Sequence, residues 1–396
     1  MNNGAAAQVA VADAGQGTPR DAPGAVPLLP DWEGACLHRV VPGLLRQLAE
    51  PERSVPPPWF PAPVTDATQI VLLVIDGLGA EQLRARSGLA PMLTSGSGGS
   101  ITSVAPSTTA CALTTLVTGR VPAEHGVLGY RVALDGEVMN VLQWSLNGAD
   151  ARMRVPAHVF QPFSSFPGAI GTVPVVTRHD YGPTGFTAAH LGRVDLHRWH
   201  TPAGLVTTVR RLAASGSPFI YAYYEGIDKV AHAEGIGDFY DDELRAADRL
   251  VADVLEVLPP GAVLVVTADH GQVNVGNSVV VLGPEIMEGL TLISGEGRFR
   301  WLHTRPGAID DVADAAVQQH GDVAWVRTRE QVIAEGWLGG IPSPEIAARL
   351  GDVALIPFEP IAFLDPADTG ELRLAARHGS LTPDEMLIPL LGWRAG

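Results

Sequence analysis

Asp228 and His232 stand four residues apart in the run GIDKVAH. On a helix this spacing places a carboxylate and an imidazole on one face, where they can hold one cation or form an ordinary surface ion pair. Asp269 and His270 close VLVVTADHG, an apolar run ending in two consecutive ligand types, and Gly271 supplies a turn that lets them diverge. Asp76 ends a similar run, VLLVIDG, and His378 lies in the late segment RHGS. Thr109 opens the helical stretch TACALTTLVTG, where unpaired backbone N–H groups and the helix dipole favour an anion. Taken singly, Asp-Gly after a strand is a turn, a threonine at a helix start is an N-cap, and one histidine among twelve says little. As a set they are oxygen and imidazole donors at strand ends or in adjoining loops. Such a mixture suits zinc, with manganese second, whereas calcium or magnesium favours oxygen ligands alone. A threonine hydroxyl is a weak nucleophile near neutral pH, and a bound metal is one means of activating it.

The elements that must position these residues can be read from the hydrophobic pattern. The run from Val71 and the run VLVVT are buried strands, and Pro218 to Tyr224 is strand-like. Helices are expected at Cys36 to Ala49 with a bend near Pro42, at Thr109 to Gly119, at Thr201 to Ala214 and at Asp238 to Leu258. Alternating strands and helices predict an α/β fold, a mostly parallel sheet covered by helices on both faces. Ligands of such sheets bind outside the carboxyl ends of the strands. Asp135-Gly136 marks a hairpin over Tyr130 to Trp144, placed to wall one side of that crevice. The pattern over about 299–364 changes to a small inserted α+β lobe, with a helix from Ile309 to Gln319. Residues 1–30, rich in Ala, Gly and Pro, are expected to be a mobile tail, leaving 31–396 as one catalytic domain.

Composition excludes several classes. A net charge of −16 argues against a polyanion-binding surface, so no nucleic-acid polymer is expected as a partner. It leaves room for a small phosphate substrate, because bound divalent cations invert the field inside an acidic site. Cys36 and Cys111 are too few for a disulfide framework and lack the spacing of a thiolate zinc site. With no secretory signal pattern and no apolar run of membrane length, a soluble, cytoplasmic protein is expected.

In order along the chain, VLLVIDG, APSTTACALTTLVTG with AEHGV behind it, GIDKVAH, VVTADHG and RHGS resemble the alkaline phosphatase superfamily, most closely its type I phosphodiesterase/nucleotide pyrophosphatase branch. The resemblance spans Val71 to Ser380. It implies two divalent metal ions, Zn2+ or else Mn2+. One would be held by Asp228, His232 and His378, the other by Asp76, Asp269 and His270 together with the nucleophile Thr109. The implied activity is hydrolysis of phosphodiester or pyrophosphate bonds through a phosphothreonine intermediate, on a small phosphorylated substrate such as a nucleotide. His125-Gly126 matches a structural turn of the family. Where much of the branch carries an Asn three residues after the nucleophile, this chain has Ala112. The phosphoryl oxygen would then fall to the backbone N–H of Ala110 or to the side chains of Tyr130 or Asn140. The run PSTTA also admits Thr108 or Ser107 as nucleophile, but Thr109 keeps the spacing to Thr118-Gly119.

Other chemistries fit less well. Gly77-Leu78-Gly79 begins a dinucleotide fingerprint, but Gln82 stands at its third glycine. The chain holds no G-x-S-x-G nucleophile elbow and no C/S-x-P-x-R sulfatase context. A phosphomonoesterase or phosphonate hydrolase of the same superfamily is the alternative within the chemistry, and a noncatalytic phosphate-binding or interaction protein is the alternative outside it.

Overall fold

Ile70–Ile75 (β1) is six apolar residues, all buried, so side chains pointing to both faces of the sheet are covered. Phe219–Tyr224 and the five residues Val263–Thr267 are likewise buried throughout. The computed structural model describes residues 26–50, 55–182, 184–368, 370 and 373–396. With Ser97–Thr102 as β2, Pro174–Arg178 as β3, Asp195–Trp199 as β4, Phe219–Tyr224 as β5, Val263–Thr267 as β6 and Leu387–Arg394 as β7, the main sheet has the order β2-β7-β6-β1-β5-β3-β4. Strands β6, β1, β5, β3 and β4 run parallel, and β7 lies antiparallel between β6 and β2. The sheet is thus mostly parallel and flanked by helices, as its alternating pattern predicts. Helix Pro202–Ala214 packs on β3, β4 and β5, and helix Asp238–Glu256 on β6.

The crossovers bring the chemistry to one edge. Helix Gly226–Glu234 starts directly after β5, and helix Thr109–Thr118 follows β2 across the short loop 103–108. All but the first residue of helix Thr109–Thr118 are buried, and it stops at Gly119, whose φ of 65° suits a residue without Cβ. Beside the main sheet, Arg131–Leu134 and Glu137–Asn140 form the expected hairpin, with positive φ at both turn residues, Asp135 and Gly136. Its second strand ends at Asn140 instead of running on to Trp144, because Val141 to Trp144 turn back to start a third strand at Ser145.

A second sheet, in the order Leu290–Glu296, Phe299–Thr304, Val353–Pro357, Ala324–Thr328, packs with helix Ile309–His320 around a separate apolar cluster that includes Leu290, Leu302, Val312 and Leu355. This unit begins earlier than the expected boundary at 299. LTLISGE pairs with FRWLHT, and helix Pro284–Glu288 joins the same cluster through Ile286. At the other end of the chain, residues 1–25 of the expected tail lie outside the described residues. Ordered chain already begins before Pro30, since Leu28 donates to Leu381 O at 2.9 Å and Leu28 and Leu29 pack on the main core.

Arg298 ties the two sheets together next to the His378 segment. Its side chain is 1% exposed and that of Glu385 0%, and the guanidinium meets the carboxylate in a fork at 3.0 and 2.6 Å. Arg298 also donates to Ile361 O, while Glu385 accepts from Ser380 N and Thr382 Oγ1. Arg298→Met leaves a buried carboxylate without its counter-charge and is expected to destabilise the fold by about 3–5 kcal/mol. Denaturant unfolding measures this, and the double change Arg298→Met, Glu385→Leu should recover much of the loss.

Candidate active site

Asp76 is the first residue past β1, Asp269 the second past β6, and Asp228 sits in the first turn of the helix that follows β5. Because β6, β1 and β5 are adjacent and parallel, three carboxylates arrive at one point. Gly77 lets them approach. Its N–H donates to Asp269 Oδ1 at 3.1 Å with φ +73°, and a Cβ there would fall 2.4 Å from Gln272 Nε2 and 2.9 Å from Asp228 Cα.

The imidazoles of the set are oriented alike. Nδ1 of His232 lies 2.8 Å from Ala376 O, that of His270 3.0 Å from Gly271 O, and that of His378 3.0 Å from Ser107 O. A carbonyl only accepts, so each Nδ1 carries the proton and each Nε2 keeps a lone pair for the crevice, the tautomer that metal-binding histidines use. Nε2 of His270 is 3.4 Å from Asp76 Oδ1, 3.3 Å from Asp269 Oδ2 and 3.1 Å from Thr109 Oγ1. Asp228 Oδ1 is 3.2 Å from His232 Nε2 and 3.8 Å from His378 Nε2. His270 and His378 stack with ring centres 3.5 Å apart. Donor atoms of Asp76, Asp269 and His270 lie within 4.8 Å of one another, as do those of Asp228, His270 and His378. His270 thus stands between two groups, and His232 joins the second through Asp228.

The three hydroxyls of the PSTTA run have different surroundings. Ser107 is sealed, 0% exposed, and donates to Ser380 O at 2.7 Å. Thr108, 1% exposed, is the N-cap residue of helix Thr109–Thr118 and its hydroxyl is buried without a partner. Thr109 is half-buried at the first helical position and lines the crevice. His125 is fully buried between Thr115 Oγ1 and Val127 N, and burial pushes its pKa down to about 3, which makes it a neutral structural residue.

Electrostatically the bare cluster resists its own charge. Burial raises the Asp76 carboxyl well above the usual range, and the neighbouring Asp269 and Asp228 raise it further. Burial also raises Asp228 and Asp269, each partly offset by an adjacent histidine. Burial lowers His270 and, with His270 and His232 close by, lowers His378 strongly. Asp76 Oδ1 and Asp269 Oδ2 are buried and accept no hydrogen bond. Buried carboxylate oxygens facing unprotonated imidazole nitrogens fit divalent cations and leave the cluster frustrated without them.

Two cavities open on Thr109. One, of about 380 Å³, is walled by Tyr181, Tyr221, Tyr223 and Phe186. The other, of about 350 Å³, is bordered by Tyr130, Asn140, Ala110 and His378. Tyr130 and Asn140 therefore both reach the crevice. The Tyr130 hydroxyl hydrogen-bonds Asp368, and Asn140 Oδ1 accepts from Gln143 N at 2.9 Å. Two site residues lie outside the set read from sequence: Tyr223, whose hydroxyl donates to Asp76 Oδ2, and Gln272, whose amide donates to Asp228 Oδ1 at 2.8 Å. The alternation in FIYAYY signalled that Tyr221 and Tyr223 share a face, but not that the face meets Asp76.

The sequence profile of the type I phosphodiesterase / nucleotide pyrophosphatase family matches residues 70–381, from the start of β1 to just past His378. The chain belongs to this family. Phosphoric ester hydrolysis is accordingly its class of reaction. No curated protein matches the chain. Among solved structures, murine ectonucleotide pyrophosphatase / phosphodiesterase 5 is similar over 82% of this chain and 87% of its own, at 15% identity and a TM-score of 0.61. Another structure of that murine protein is an inactive threonine-to-alanine variant in complex with AMP. Phosphonoacetate hydrolase from Sinorhizobium meliloti, in complex with phosphonoformate, is similar over 85% of this chain and 90% of its own, at 19% identity and a TM-score of 0.57. These likenesses place the family's fold as alkaline phosphatase-like. Among the described residues no helix is long and apolar enough to cross a membrane.

Proposed function

We propose that this phosphodiesterase-family chain hydrolyses phosphodiester or pyrophosphate bonds of a small phosphorylated substrate, such as a nucleotide, with Thr109 as nucleophile. One observation carries the proposal: Thr109 Oγ1, at a helix N-terminus, lies 3.1 Å from His270 Nε2, which stands between two groups of buried carboxylate and imidazole donors. Asp76, Asp269 and His270 with Thr109 would hold one divalent cation, and Asp228, His232 and His378 another, zinc being the better match to the donors. Bound there, the cations supply positive charge that favours the ionised hydroxyl and offsets charge on the phosphoryl oxygens.

The chain's own residues arrange the reaction. Thr109 Oγ1 gives up its proton to solvent and attacks phosphorus in line. The new P–O bond forms as the bond to the leaving oxygen, of an alkoxide or of a phosphate, breaks, and the leaving group takes up a proton from solvent when its basicity requires one. Water then attacks the same phosphorus, the P–Oγ bond breaks and the threonine hydroxyl is restored. Backbone N–H groups in the first helical turn, Ala110 among them, lack intrahelical acceptors and can meet a phosphoryl oxygen, a role suited to a chain with Ala112 in place of asparagine. Tyr223 and Gln272 hold Asp76 and Asp228 in place.

The test is a panel of paired mono- and diesters with matched leaving groups on the metal-replete protein. Higher kcat/KM for the diester across the panel is expected. A consistent preference for monoesters would move the assignment to a phosphomonoesterase, and turnover confined to a C–P bond would move it to a phosphonate hydrolase.

A further inference from the structure

Lys229 is the only lysine in 396 residues, in a chain that otherwise uses arginine for every fixed side-chain cation. It follows Asp228 on helix Gly226–Glu234, is exposed, and lines the 380 Å³ cavity that opens on Thr109. Helical spacing offers it one carboxylate, Glu225, four residues earlier. That carboxylate is instead held by Arg178. Among the described residues Lys229 makes no ion pair, although the chain carries 43 acidic residues against 27 basic ones.

An unpartnered ammonium beside a site built for divalent cations is an electrostatic cost unless an anion comes between them. The rest of that cavity does not supply one. Its walls are the rings of Tyr181, Tyr221, Tyr223 and Phe186, and of its three acids Asp76 and Asp228 belong to the two donor groups while Glu225 pairs with Arg178. A lysine is also the choice for a single oxygen approached as a point charge, whereas arginine's planar fork suits bidentate pairs such as Arg298 with Glu385. We propose that Lys229 binds a second anionic group on the substituent of the substrate, so that preferred substrates carry a phosphate or carboxylate beyond the scissile phosphoryl group. This rests on the reading of Thr109 and its surroundings as the phosphoryl-transfer centre.

The single lysine makes a direct test possible. An amine-selective acylating reagent can modify only Lys229 and the α-amino group, which serves as internal reference for peptide mass spectrometry. On the metal-replete full chain, protection of Lys229 is compared between ADP and AMP, and between 3-phosphoglycerate and glycerol 3-phosphate; each pair differs by one anionic group. At least one pair should separate by about tenfold in protecting concentration, and which pair does so identifies phosphate or carboxylate. Equal protection within both pairs overturns the proposal. In parallel, Lys229→Gln should lower by about tenfold the ratio of kcat/KM for the dianionic substituent to that for bis(4-nitrophenyl) phosphate, and Lys229→Arg should restore most of it. An unchanged ratio counts against Lys229. If a pair separates but no ester is hydrolysed, anion recognition stands and the phosphodiesterase reading falls. If esters are hydrolysed and neither pair separates, the reverse holds.

Discussion

Thr109→Ala is expected to lower kcat by a factor on the order of 10³ or more, leaving the fold and most of the metal content intact, because removing a nucleophile withdraws a group used in the chemical step. Asp76, Asp269 and His270 still offer three donors within reach of one another when the hydroxyl is gone. KM should change far less than kcat. Thr109→Ser should keep partial activity, since the hydroxyl survives while the β-methyl that limits its rotamers is lost. Thr108→Ala is the internal control and should be mild, because that hydroxyl is buried away from solvent and has no partner. Steady-state kinetics with metal analysis on the three variants decides the register. A dead Thr108→Ala beside an active Thr109→Ala would shift the nucleophile by one residue.

Removing metal should abolish turnover and weaken the fold together. A cation that binds only the folded chain contributes about 4 kcal/mol when present at a thousandfold its Kd, so chelation should lower Tm measurably in scanning calorimetry and zinc should restore it. Asp269→Ala and His232→Ala should each lose metal and rate together, because each removes one donor of a different cation. The pH dependence has a definite sign. In the bare cluster burial raises the Asp76, Asp228 and Asp269 carboxyls and lowers His270 and His378, so on acidification the carboxyls take up protons more readily than free carboxyls do. A cation must displace those protons, so affinity should fall as pH falls and binding should release protons into a weakly buffered solution. Full activity after exhaustive chelation with no metal detected would exclude the cation-assisted reading.

The core of the sheet was legible because its central strands are continuous apolar runs. β1, β5 and β6 are buried on both faces, and nothing in IVLLVI or VLVVT competes with that reading. The flanking strands β2 and β7 were not legible. β2 contains Gly98 and Gly99, and β7 contains Pro389 and Gly392, residues that argue against a strand when read locally. They hold because they pair with each other and with β6. β3 opens on Pro174 and ends in Arg178, and β4, Asp-Leu-His-Arg-Trp at the sheet edge, mixes polar and apolar residues without alternating. In the site, the carboxylates and histidines follow from motif order: Asp76, Asp269, His270 and His378 come just after strands, Asp228 starts a helix and His232 lies one turn further along it. Their supports do not: His232 leans on the carbonyl of Ala376 and His378 on that of Ser107, contacts between residues 144 and 271 positions apart. Local pattern carries no information about carbonyls at that distance. Lys229 was visible as a letter in GIDKVAH, but its meaning depends on the cavity it faces and on Arg178 taking its natural partner.

In the proposed reaction phosphorus becomes bonded to Thr109 during turnover, and rapid-quench peptide mass spectrometry detects that bond. Metal-replete protein mixed with a diester bearing a good leaving group and quenched in acid within the first turnover should yield the peptide containing Thr109 with the substrate's phosphoryl moiety attached to that residue, absent from Thr109→Ala. An unmodified Thr109 throughout a burst of leaving-group release, or the adduct on another residue, would contradict the account.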